Sequence, residues 1–307
     1  MAAHNWIPPS LTALRAFEMA ARTLSFTSAA EELNQTQGAI SHQVGALEAR
    51  LGLKLFEREA RGLKLTQAGH KYLPLVRDAL DRLRTAEELI RPTRPSVLTV
   101  TMSPNFASKW LVPRLGSFSV THPNLDLRIS ASVQHIDFNH EDIDLAVRHG
   151  DGDWPELAVT RLCTEELFPV CSPTLLRNSP PIRTPADLTN HVLIHDRSRD
   201  RWRQWLAAFG VACPEGERGP VFDQTALAID AAVAGQGIVL ARSALASLDL
   251  IAGRLTRPLP EAMPAEFSYW IVCRKLVAQT PKIGQFRAWL LEQVQDDKAA
   301  LLRKTRR

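Results

Sequence analysis

The segment RPTRP, Arg91 to Pro95, is the feature that most constrains how this chain can fold. Two prolines within four residues cannot continue a helix, because proline lacks an amide hydrogen and restricts the residue before it. Upstream of this break, apolar residues recur at helical spacing. Downstream, short β-rich runs alternate with helical stretches. We therefore expect two parts of different architecture, joined near residues 91–95.

The composition is typical of a folded, core-forming protein. Of 307 residues, 45% are hydrophobic and 23% are charged, which argues against disorder, and the length suits two or three domains. No run approaches the roughly 18 apolar residues of a membrane helix, and the start of the chain lacks a secretory pattern. We expect a cytoplasmic protein without membrane contact. A periplasmic solute receptor is excluded by the same lack of an export signal.

Cysteine and histidine spacing favours neither a metal site nor a disulfide framework. There is no C-x-x-C pair and no H-E-x-x-H run, and the phosphate-binding and nucleophile-elbow motifs are also missing. We expect no cofactor, no metal ion and no catalytic residue. If the chain were a small-molecule enzyme instead, Cys171 and His195 would form its candidate dyad.

The charge is distributed unevenly. The net charge is only +4, and residues 1–94 hold 13 Lys and Arg against 10 Asp and Glu. Residues 95–297 are net acidic, and the last ten residues are basic. A mildly basic head is compatible with nucleic-acid binding.

A helix-turn-helix is predicted within the head. The run FTSAAEEL, residues 26–33, reads as a short helix with Thr27 as its expected cap, and the turn NQT leads to a second helix capped by Thr36. The second helix carries one narrow apolar stripe, formed by Ile40, Val44, Leu47 and Leu51. Two short helices with so tight a turn match the motif whose second helix enters the major groove.

The opposite face of the second helix is unusually bare. It consists of small and short polar residues, namely Gln35, Gly38, His42, Gly45, Ala46 and Ala49. Such a face suits close approach to DNA, and the alternative is a helix packed on another protein helix through small residues. The following residues favour DNA, because LKLF and LKLT flank the basic turn REARG and predict a hairpin wing.

The stretch Leu24 to Gly69 resembles the winged-helix signature of the LysR-type transcriptional regulators. Matched position by position, the resemblance implies DNA contacts from Thr27, Ser28, Gln37, Ser41, His42, Gln43 and, in the wing, Arg61. One departure is His42, where many members carry Arg, so a phosphate or guanine contact there is in question.

Residues 66–90 read as one long helix with Thr66 as its cap and a kink expected at Pro74. A heptad-like seam runs along it through Leu73, Val76, Leu80, Leu83 and Ile90. Packing on its own domain is the alternative, whereas in the family the equivalent helix pairs two chains. The resemblance implies a homodimer, further a homotetramer, acting on double-stranded promoter or operator DNA, with RNA polymerase as a candidate partner.

The body predicts an α/β architecture with mostly parallel sheets, from alternating strands and helices after residue 97. It resembles the family's effector domain, a two-lobed fold like that of periplasmic binding proteins. The resemblance is closest to the subgroup of the glycine-cleavage-operon activator and the β-lactamase-inducing regulator. The expected fold is thus an N-terminal all-α winged helix-turn-helix, a long dimerisation helix and an α/β effector domain. The expected domains are 1–65, 66–96 and 97–307, the last with lobes at 97–166 plus 271–307 and at 167–270.

Effectors in such sheets lie beyond the carboxyl ends of strands, where helix N-termini offer amide groups. Applied to this chain, the rule selects seven residues as effector contacts: Ser103, Asn105, Gln134, Asp137, Arg148, Asp223 and Thr225. Ser103 and Thr225 have an alternative role as helix caps, Asp137 as a cap or surface charge, and Arg148 as an ion-pair partner of Asp144 or Asp151. Trp202 and Trp205 are expected in the core. We predict a sequence-specific DNA-binding transcriptional regulator whose small-molecule effector, amino acid-like or derived from the cell wall, is bound between the two lobes. The alternative is a small-molecule enzyme with an accessory DNA-binding head.

Overall fold

The computed structural model describes residues 7–59, 62–90, 96–134, 138, 143–212 and 219–305. The chain divides into two compact units: a head, whose described residues are 7–59, 62–90, 138 and 143, and a body, whose described residues are 96–134, 144–212 and 219–305. Of the described helices, none is long and apolar enough to cross a membrane.

The head consists of four helices and one hairpin. Its elements are α1 (Leu11–Thr23), α2 (Phe26–Leu33), α3 (Gln37–Leu51), β1 (Phe56–Glu59), β2 (Gly62–Leu65) and α4 (Gln67–Ile90). The strands β1 and β2 pair antiparallel, which confirms the predicted wing.

Side-chain caps define where the head helices begin. Thr36 accepts a hydrogen bond from the amide of Ala39, and Thr66 accepts one from the amide of Gly69, as predicted. The expectation that Thr27 caps α2 is wrong. Ser25 is the cap, and its hydroxyl accepts from the amide of Ser28 because the helix begins one residue earlier, at Phe26.

The head core gathers one face of each helix around Phe17. The stripe of α3 is buried as predicted at Ile40, Val44 and Leu47. Leu73 and Val76, the first two residues of the predicted seam on α4, are also buried in this core. For those two, the alternative of packing on their own domain is therefore correct, and they are unavailable to a second chain.

The body consists of two five-stranded sheets with helices between and around them. The first sheet has the order β4-β3-β5-β12-β6, built from β3 (Ser96–Met102), β4 (Leu125–Ala131), β5 (Leu145–Gly150), β6 (Leu157–Cys163) and β12 (Ser268–Arg274). The second has the order β11-β7-β10-β8-β9, built from β7 (Glu166–Val170), β8 (Leu193–Asp196), β9 (Val221–Phe222), β10 (Ile238–Arg242) and β11 (Met263–Pro264).

Seven α-helices complete the body. They are α5 (Pro104–Phe106), α6 (Leu115–Thr121), α7 (Pro173–Asn178), α8 (Asp200–Ala208), α9 (Thr225–Val233), α10 (Ser243–Ile251) and α11 (Pro281–Thr305). The helical segment between β3 and β4 is divided, because a π-helical turn at Ala107–Leu111 and a 3₁₀ turn at Val112–Arg114 separate α5 from α6. Pro113 lies in that 3₁₀ turn, where a regular helix would need its missing amide hydrogen.

Both sheets are mixed, so the expectation of mostly parallel sheets is wrong. Parallel pairs join β3 to β4 and β5 in the first sheet and β8 to β9 and β10 in the second. The strands nearest the crossings, β7 and β12, pair antiparallel with all their neighbours. Parallel neighbours in one sheet need a crossover connection, usually a helix. A strand that enters directly from the other sheet makes no such crossover, so it pairs antiparallel with its neighbours.

The chain passes between the sheets twice, between Cys163 and Glu166 and between Pro264 and Ser268. One apolar core runs through both sheets and includes residues of α9, α10 and α11. Trp202 and Trp205 are fully buried in a second core beneath α8, as expected, and their indole N–H groups donate to the carbonyls of Ile194 and Leu167.

Charged contacts also tie the sheets together. Lys109, in the π-helical turn, lies 2.5 Å from a carboxylate oxygen of Asp230 on α9 and 3.3 Å from one of Asp249 on α10. Arg114 forms a buried pair with Asp297 of α11. The contacts of Lys109 join elements of the two lobes, whereas Arg114 and Asp297 belong to the same lobe.

Candidate DNA-binding surface and effector cavity

The bare face of α3 is exposed in the head. Gln37 and His42 are exposed, whereas Ser41 and Gln43 are half-buried. The side-chain amide nitrogen of Gln43, Nε2, donates to the side-chain oxygen of Gln35 in the preceding turn at 3.1 Å. That bond fixes the side chain of Gln43 against the start of its own helix.

Two further candidates lie on α2, and one lies outside the described residues. Thr27 is exposed and Ser28 is half-buried in the first turn of α2. Arg61, the candidate from the wing, falls outside the part of the chain that the structure describes.

The glycines of α3 have no internal reason to be small. A Cβ added to Gly38 or Gly45 would meet no atom within 4 Å. By contrast, a Cβ at Gly69 would lie 2.3 Å from the carbonyl oxygen of Leu55. Glycine is a poor helix former, and packing within the head does not require it at these two positions.

A buried carboxylate joins the recognition helix to the wing, and sequence reasoning missed it. Glu48 accepts hydrogen bonds from the amides of Leu55 and Phe56 at 2.9 and 3.2 Å and from the ammonium of Lys54 at 2.6 Å. Burial by itself raises the pKa of Glu48, but the bonds from Lys54 and the two amides outweigh it and leave the pKa below its ordinary value. The available signal was a charged residue four positions after buried Val44, on the core side of the helix.

The helix α4 has an exposed apolar stripe. Leu75, Ala79, Leu83 and Ala86 are all exposed and recur at spacings of three and four residues. Leu75 is 62% exposed and Leu83 is 49% exposed. The ion pair of Arg77 with Glu18, at 2.9 Å, holds the other face of α4 on α1. The stripe therefore faces away from the head core.

The body contains a cavity of about 230 Å³ where strands of both sheets end. Four of the seven predicted effector contacts line it: Ser103, Asn105, Arg148 and Thr225. Its remaining lining residues are Val133, Val147, His149, Arg197, Arg242, Leu245 and Tyr269.

The predicted residues in the cavity are held by specific bonds. Ser103 caps α5 by accepting from the amide of Phe106 at 3.3 Å, so its alternative role as a cap is real. Asn105, from the first sheet's side, accepts from the amide of Ala226 on α9 at 3.0 Å and thereby bridges the two lobes. Thr225 is the first residue of α9 rather than its cap, and its hydroxyl donates to Asp196 at 2.8 Å.

Arg148 lies in the second half of β5. Its guanidinium donates to the carbonyls of Ser132 and Gln134 at 3.2 and 3.4 Å. Asp144, one of the ion-pair partners considered for it, is paired with Lys282 at 2.7 Å.

Three predicted effector contacts are not among the residues that line the cavity. Gln134 contributes its carbonyl to Arg148 and has an exposed side chain. Asp223 is exposed beside β9. Asp137 lies outside the described residues.

Sequence reasoning missed Arg197, Arg242 and Tyr269. The rule that selected Ser103 could have found the two arginines, since Arg197 directly follows β8 and Arg242 is the last residue of β10. Tyr269 comes from β12, which runs in the opposite direction, so its position near a strand start gave no signal.

A buried carboxylate supports the cavity wall from behind. The side chain of Glu165 is fully buried, and its oxygens lie 3.0 Å from Nε2 of His149 and 3.6 Å from the guanidinium of Arg242. Arg242 also donates to Nδ1 of His149 at 2.9 Å. The same guanidinium nitrogen also lies 2.5 Å from Nε2, so the imidazole of His149 is held between Arg242 and Glu165.

Tyr269 completes this wall as a neutral phenol. It is 3% exposed. Burial, together with the nearby charge of Glu165, holds the pKa of Tyr269 well above its ordinary value. The hydroxyl is therefore a hydrogen-bond donor or acceptor and carries no charge at neutral pH.

The candidate dyad of the enzyme alternative has no supporting chemistry. Burial raises the pKa of the Cys171 thiol to about 12, so it is not a thiolate nucleophile at neutral pH. Nε2 of His195 lies 3.0 Å from the guanidinium of Arg199. Neither Cys171 nor His195 lines the cavity. No group of three or more metal-ligating side chains assembles among the residues that the structure describes.

Comparison with known families accounts for nearly the whole chain. Residues 11–70 match the bacterial regulatory helix-turn-helix proteins of the lysR family, and residues 93–295 match the LysR substrate binding domain.

Curated relatives are similar over their full length. The chain is 42% identical to the glycine cleavage system transcriptional activator of Escherichia coli, across 92% of this chain and 93% of that protein. It is 38% identical to the transcriptional activator AmpR of Pseudomonas aeruginosa, across 92% of this chain and 95% of that protein.

Solved structures share the fold. The effector domain of AmpR from Pseudomonas aeruginosa aligns with a TM-score of 0.54 and 31% identity, and it covers 67% of this chain and 100% of that domain. The full-length regulator LysG of Corynebacterium glutamicum aligns with a TM-score of 0.60 at 16% identity, over 94% of this chain and 98% of that one.

Proposed function

The chain belongs to the LysR family of bacterial helix-turn-helix regulators, and from this premise we propose how it reads DNA, assembles and senses its effector. It is a DNA-binding transcriptional regulator, not an enzyme, and a small-molecule effector modulates its activity. We place it in the cytoplasm, where promoter DNA and RNA polymerase, its further proposed partner, are found.

DNA recognition is proposed to rest on α3. Gln37, Ser41, His42 and Gln43 offer short donors and acceptors to base edges and phosphates of the major groove. Thr27 and Ser28 on α2 and Arg61 in the wing add backbone contacts. Support comes from the exposed small-residue face of α3 and from the open space around Gly38 and Gly45.

Assembly is proposed to use α4. Leu83 and Ile90, two residues of the expected seam, remain candidates, together with the exposed Leu75, Ala79 and Ala86. Pairing α4 with the same helix of a second chain would present two heads to two half-sites of an operator. We propose a homodimer as the basic unit and a homotetramer of two dimers on DNA.

The effector is proposed to bind in the cavity at the ends of the strands. The observation that carries this proposal is that Ser103, Asn105, Arg148 and Thr225, from both lobes, share one cavity. Hydroxyl, amide and guanidinium donors suit a small carboxylate. The volume of about 230 Å³ is below the roughly 300–1,000 Å³ of sites for drug-sized ligands. That size favours an amino acid-like effector over a whole cell-wall fragment.

Regulation requires the effector to prefer one arrangement of the lobes. Only a difference in affinity between two arrangements can shift how the heads sit on DNA. The Asn105–Ala226 bond between the lobes is at the cavity and is a candidate for the contact that the effector changes. We expect effector removal to alter DNA bending or half-site occupancy without abolishing binding.

The first experiment is to map where the protein binds in its own genome and to footprint the strongest site. Candidate effectors suggested by the adjacent genes are then added to wild type and to Thr225→Val. A footprint that shifts for wild type and stays fixed for Thr225→Val supports the proposal. A footprint that no candidate changes for either protein contradicts it.

A further inference from the structure

The cavity has more cationic donors than one effector carboxylate needs. Arg197 and Arg242 both line it and come from the ends of neighbouring parallel strands of the second sheet. Among the described residues that line the cavity there is no Asp or Glu. The lining thus offers no carboxylate to a ligand ammonium, and it offers guanidinium groups to ligand anions.

The carboxylates nearest the cavity are already engaged. Glu165 accepts from the amide of Ala244 at 3.3 Å and lies beside His149 and Arg242. Asp196, with a side chain 2% exposed, accepts from Thr225 and from Arg201, each at 2.8 Å. Both are buried, and neither lines the cavity, although one oxygen of each, Oε2 of Glu165 and Oδ1 of Asp196, accepts no hydrogen bond from the described residues.

Arg197 is held in an unusual backbone conformation. Its φ of 64° lies in the left-handed region, which a residue with a side chain seldom occupies. Its amide donates to the carbonyl of Phe222 at 2.7 Å and so ties β8 to β9 at this point. Strained residues persist where the surroundings over-determine them, and they concentrate at ligand sites. The side chain of Arg197 is exposed, and it forms no hydrogen bond or ion pair with the rest of the described protein.

We propose that Arg197, together with Arg242, binds a second acidic group of the effector, so that the effector is a compact dianion such as a dicarboxylate. This inference rests on the proposed effector cavity and narrows its ligand class. An amino acid with a neutral side chain would satisfy one acidic group and would place an ammonium among guanidinium groups. An acidic amino acid or a short fragment with two carboxylates meets the requirement.

Three probes of equal chain length isolate the second group. Butyrate, succinate and 4-aminobutyrate are four-carbon chains with a carboxylate at one end. The other end is a methyl in butyrate, a second carboxylate in succinate and an ammonium in 4-aminobutyrate. We expect full-length protein to bind succinate roughly tenfold more tightly than butyrate, because only succinate offers a second carboxylate to the guanidinium groups of Arg197 and Arg242. Binding of 4-aminobutyrate should be the weakest. Titration calorimetry in chloride buffer at fixed ionic strength measures all three.

Arg197→Asn is the decisive variant. Asparagine tolerates the left-handed region, so the fold should persist while the cation is lost. We expect the preference for succinate over butyrate to fall to about twofold or less. Arg183→Asn, an exposed arginine of the same lobe that does not line the cavity, is the matched control and should leave the preference unchanged.

Several results would overturn the inference. They are an absence of saturable succinate binding, equal binding of succinate and 4-aminobutyrate, or a succinate preference that survives Arg197→Asn. These outcomes leave the proposed effector cavity standing if another ligand still shifts the operator footprint through Thr225. Loss of that footprint response, in contrast, removes the proposed function itself.

Discussion

Glu48 is the single residue on which the geometry of the DNA-reading surface depends most directly. It is buried on the core side of α3 and holds the amides of Leu55 and Phe56, where the chain turns into the wing. The recognition helix and the wing are thereby fixed to each other through one carboxylate.

We predict that Glu48→Gln lowers the free energy of unfolding of the head by about 2 kcal/mol at neutral pH, since it loses bonds to a charged acceptor. The folded-state pKa of Glu48 is depressed, so its contribution is present above the ordinary value of 4.5 and is lost as pH falls through the folded-state value. The difference between wild type and Glu48→Gln should therefore shrink in acid. Hydrogen exchange at the amides of Leu55 and Phe56, followed from pH 7 downwards, measures it.

Glu57→Gln provides the control, because Glu57 lies nearby on β1 and is exposed. It should change neither the exchange rates nor their pH dependence. A penalty for Glu48→Gln that stays constant into acid would contradict a role for the charge.

His42 tests the DNA-facing side of the same helix. It is exposed on α3 at the position where many relatives carry Arg. We predict that His42→Arg raises non-specific DNA affinity and steepens the dependence of log K on log salt by about one unit, because one more phosphate is neutralised. Fluorescence anisotropy on a random duplex at several salt concentrations measures the slope. A slope identical to that of wild type would show that this side chain does not face phosphate.

At the residue scale, one strand end or one helix start was enough to select residues that the structure brings together. Ser103, Asn105, Arg148 and Thr225 were found by that rule and line one cavity. Tyr269 was not predictable, because it reaches the cavity from an antiparallel strand whose direction depends on how the chain crosses between the lobes. Glu48 was overlooked because a buried charge contradicts the usual pattern until its amide partners are known.

Among the elements, α3 is built for contact with another molecule at the expense of its own stability. We predict that Gly45→Ala stabilises the head by about 0.5–1 kcal/mol, because the added Cβ meets open space and alanine is the better helix former. The same change should weaken operator binding roughly tenfold, equivalent to about 1.4 kcal/mol, because the methyl group occupies room that the groove requires. Thermal unfolding and an operator titration together measure the two opposite effects.

Gly284→Ala is the matched control for that experiment. Gly284 also lies within a helix, α11, and its Cβ would likewise meet no atom within 4 Å. It should raise stability by a similar amount and leave operator affinity unchanged. A loss of stability on Gly45→Ala, or unaltered DNA binding, would assign the glycine to some other role.

The helix α4 shows the limit of periodicity as a predictor. The seam of Leu73, Val76, Leu80, Leu83 and Ile90 is regular in sequence, yet its first two residues are buried in the head core. Periodicity reports that a face is apolar, and it does not report which molecule covers that face. The mixed strand directions of the body were missed for a related reason, since hydrophobic runs look alike in parallel and antiparallel strands.

At the scale of the whole molecule, the proposed dimer depends on the exposed apolar stripe of α4. We predict that the double change Leu75→Asp and Leu83→Asp converts the dimer to a monomer, because it places two charges on the exposed stripe of α4. Operator affinity should fall accordingly, since one head alone contacts one half-site. Light scattering coupled to size-exclusion chromatography measures the mass.

The matched control is Leu302→Asp, a leucine 64% exposed on α11. It should leave the oligomeric state as it is. A double variant on α4 that keeps the mass of the wild type would show that another surface holds the chains together.

The two crossings between the lobes also dictate the order in which the body can be completed during synthesis. In the first sheet β12 lies between β5 and β6, although it is encoded more than a hundred residues after β6. When β3 to β6 have left the ribosome, the first sheet is therefore still open between β5 and β6. The second lobe, continuous from β7 to β11, can close before the first, and until β12 arrives the unfilled slot is an exposed edge that chaperones would be expected to cover.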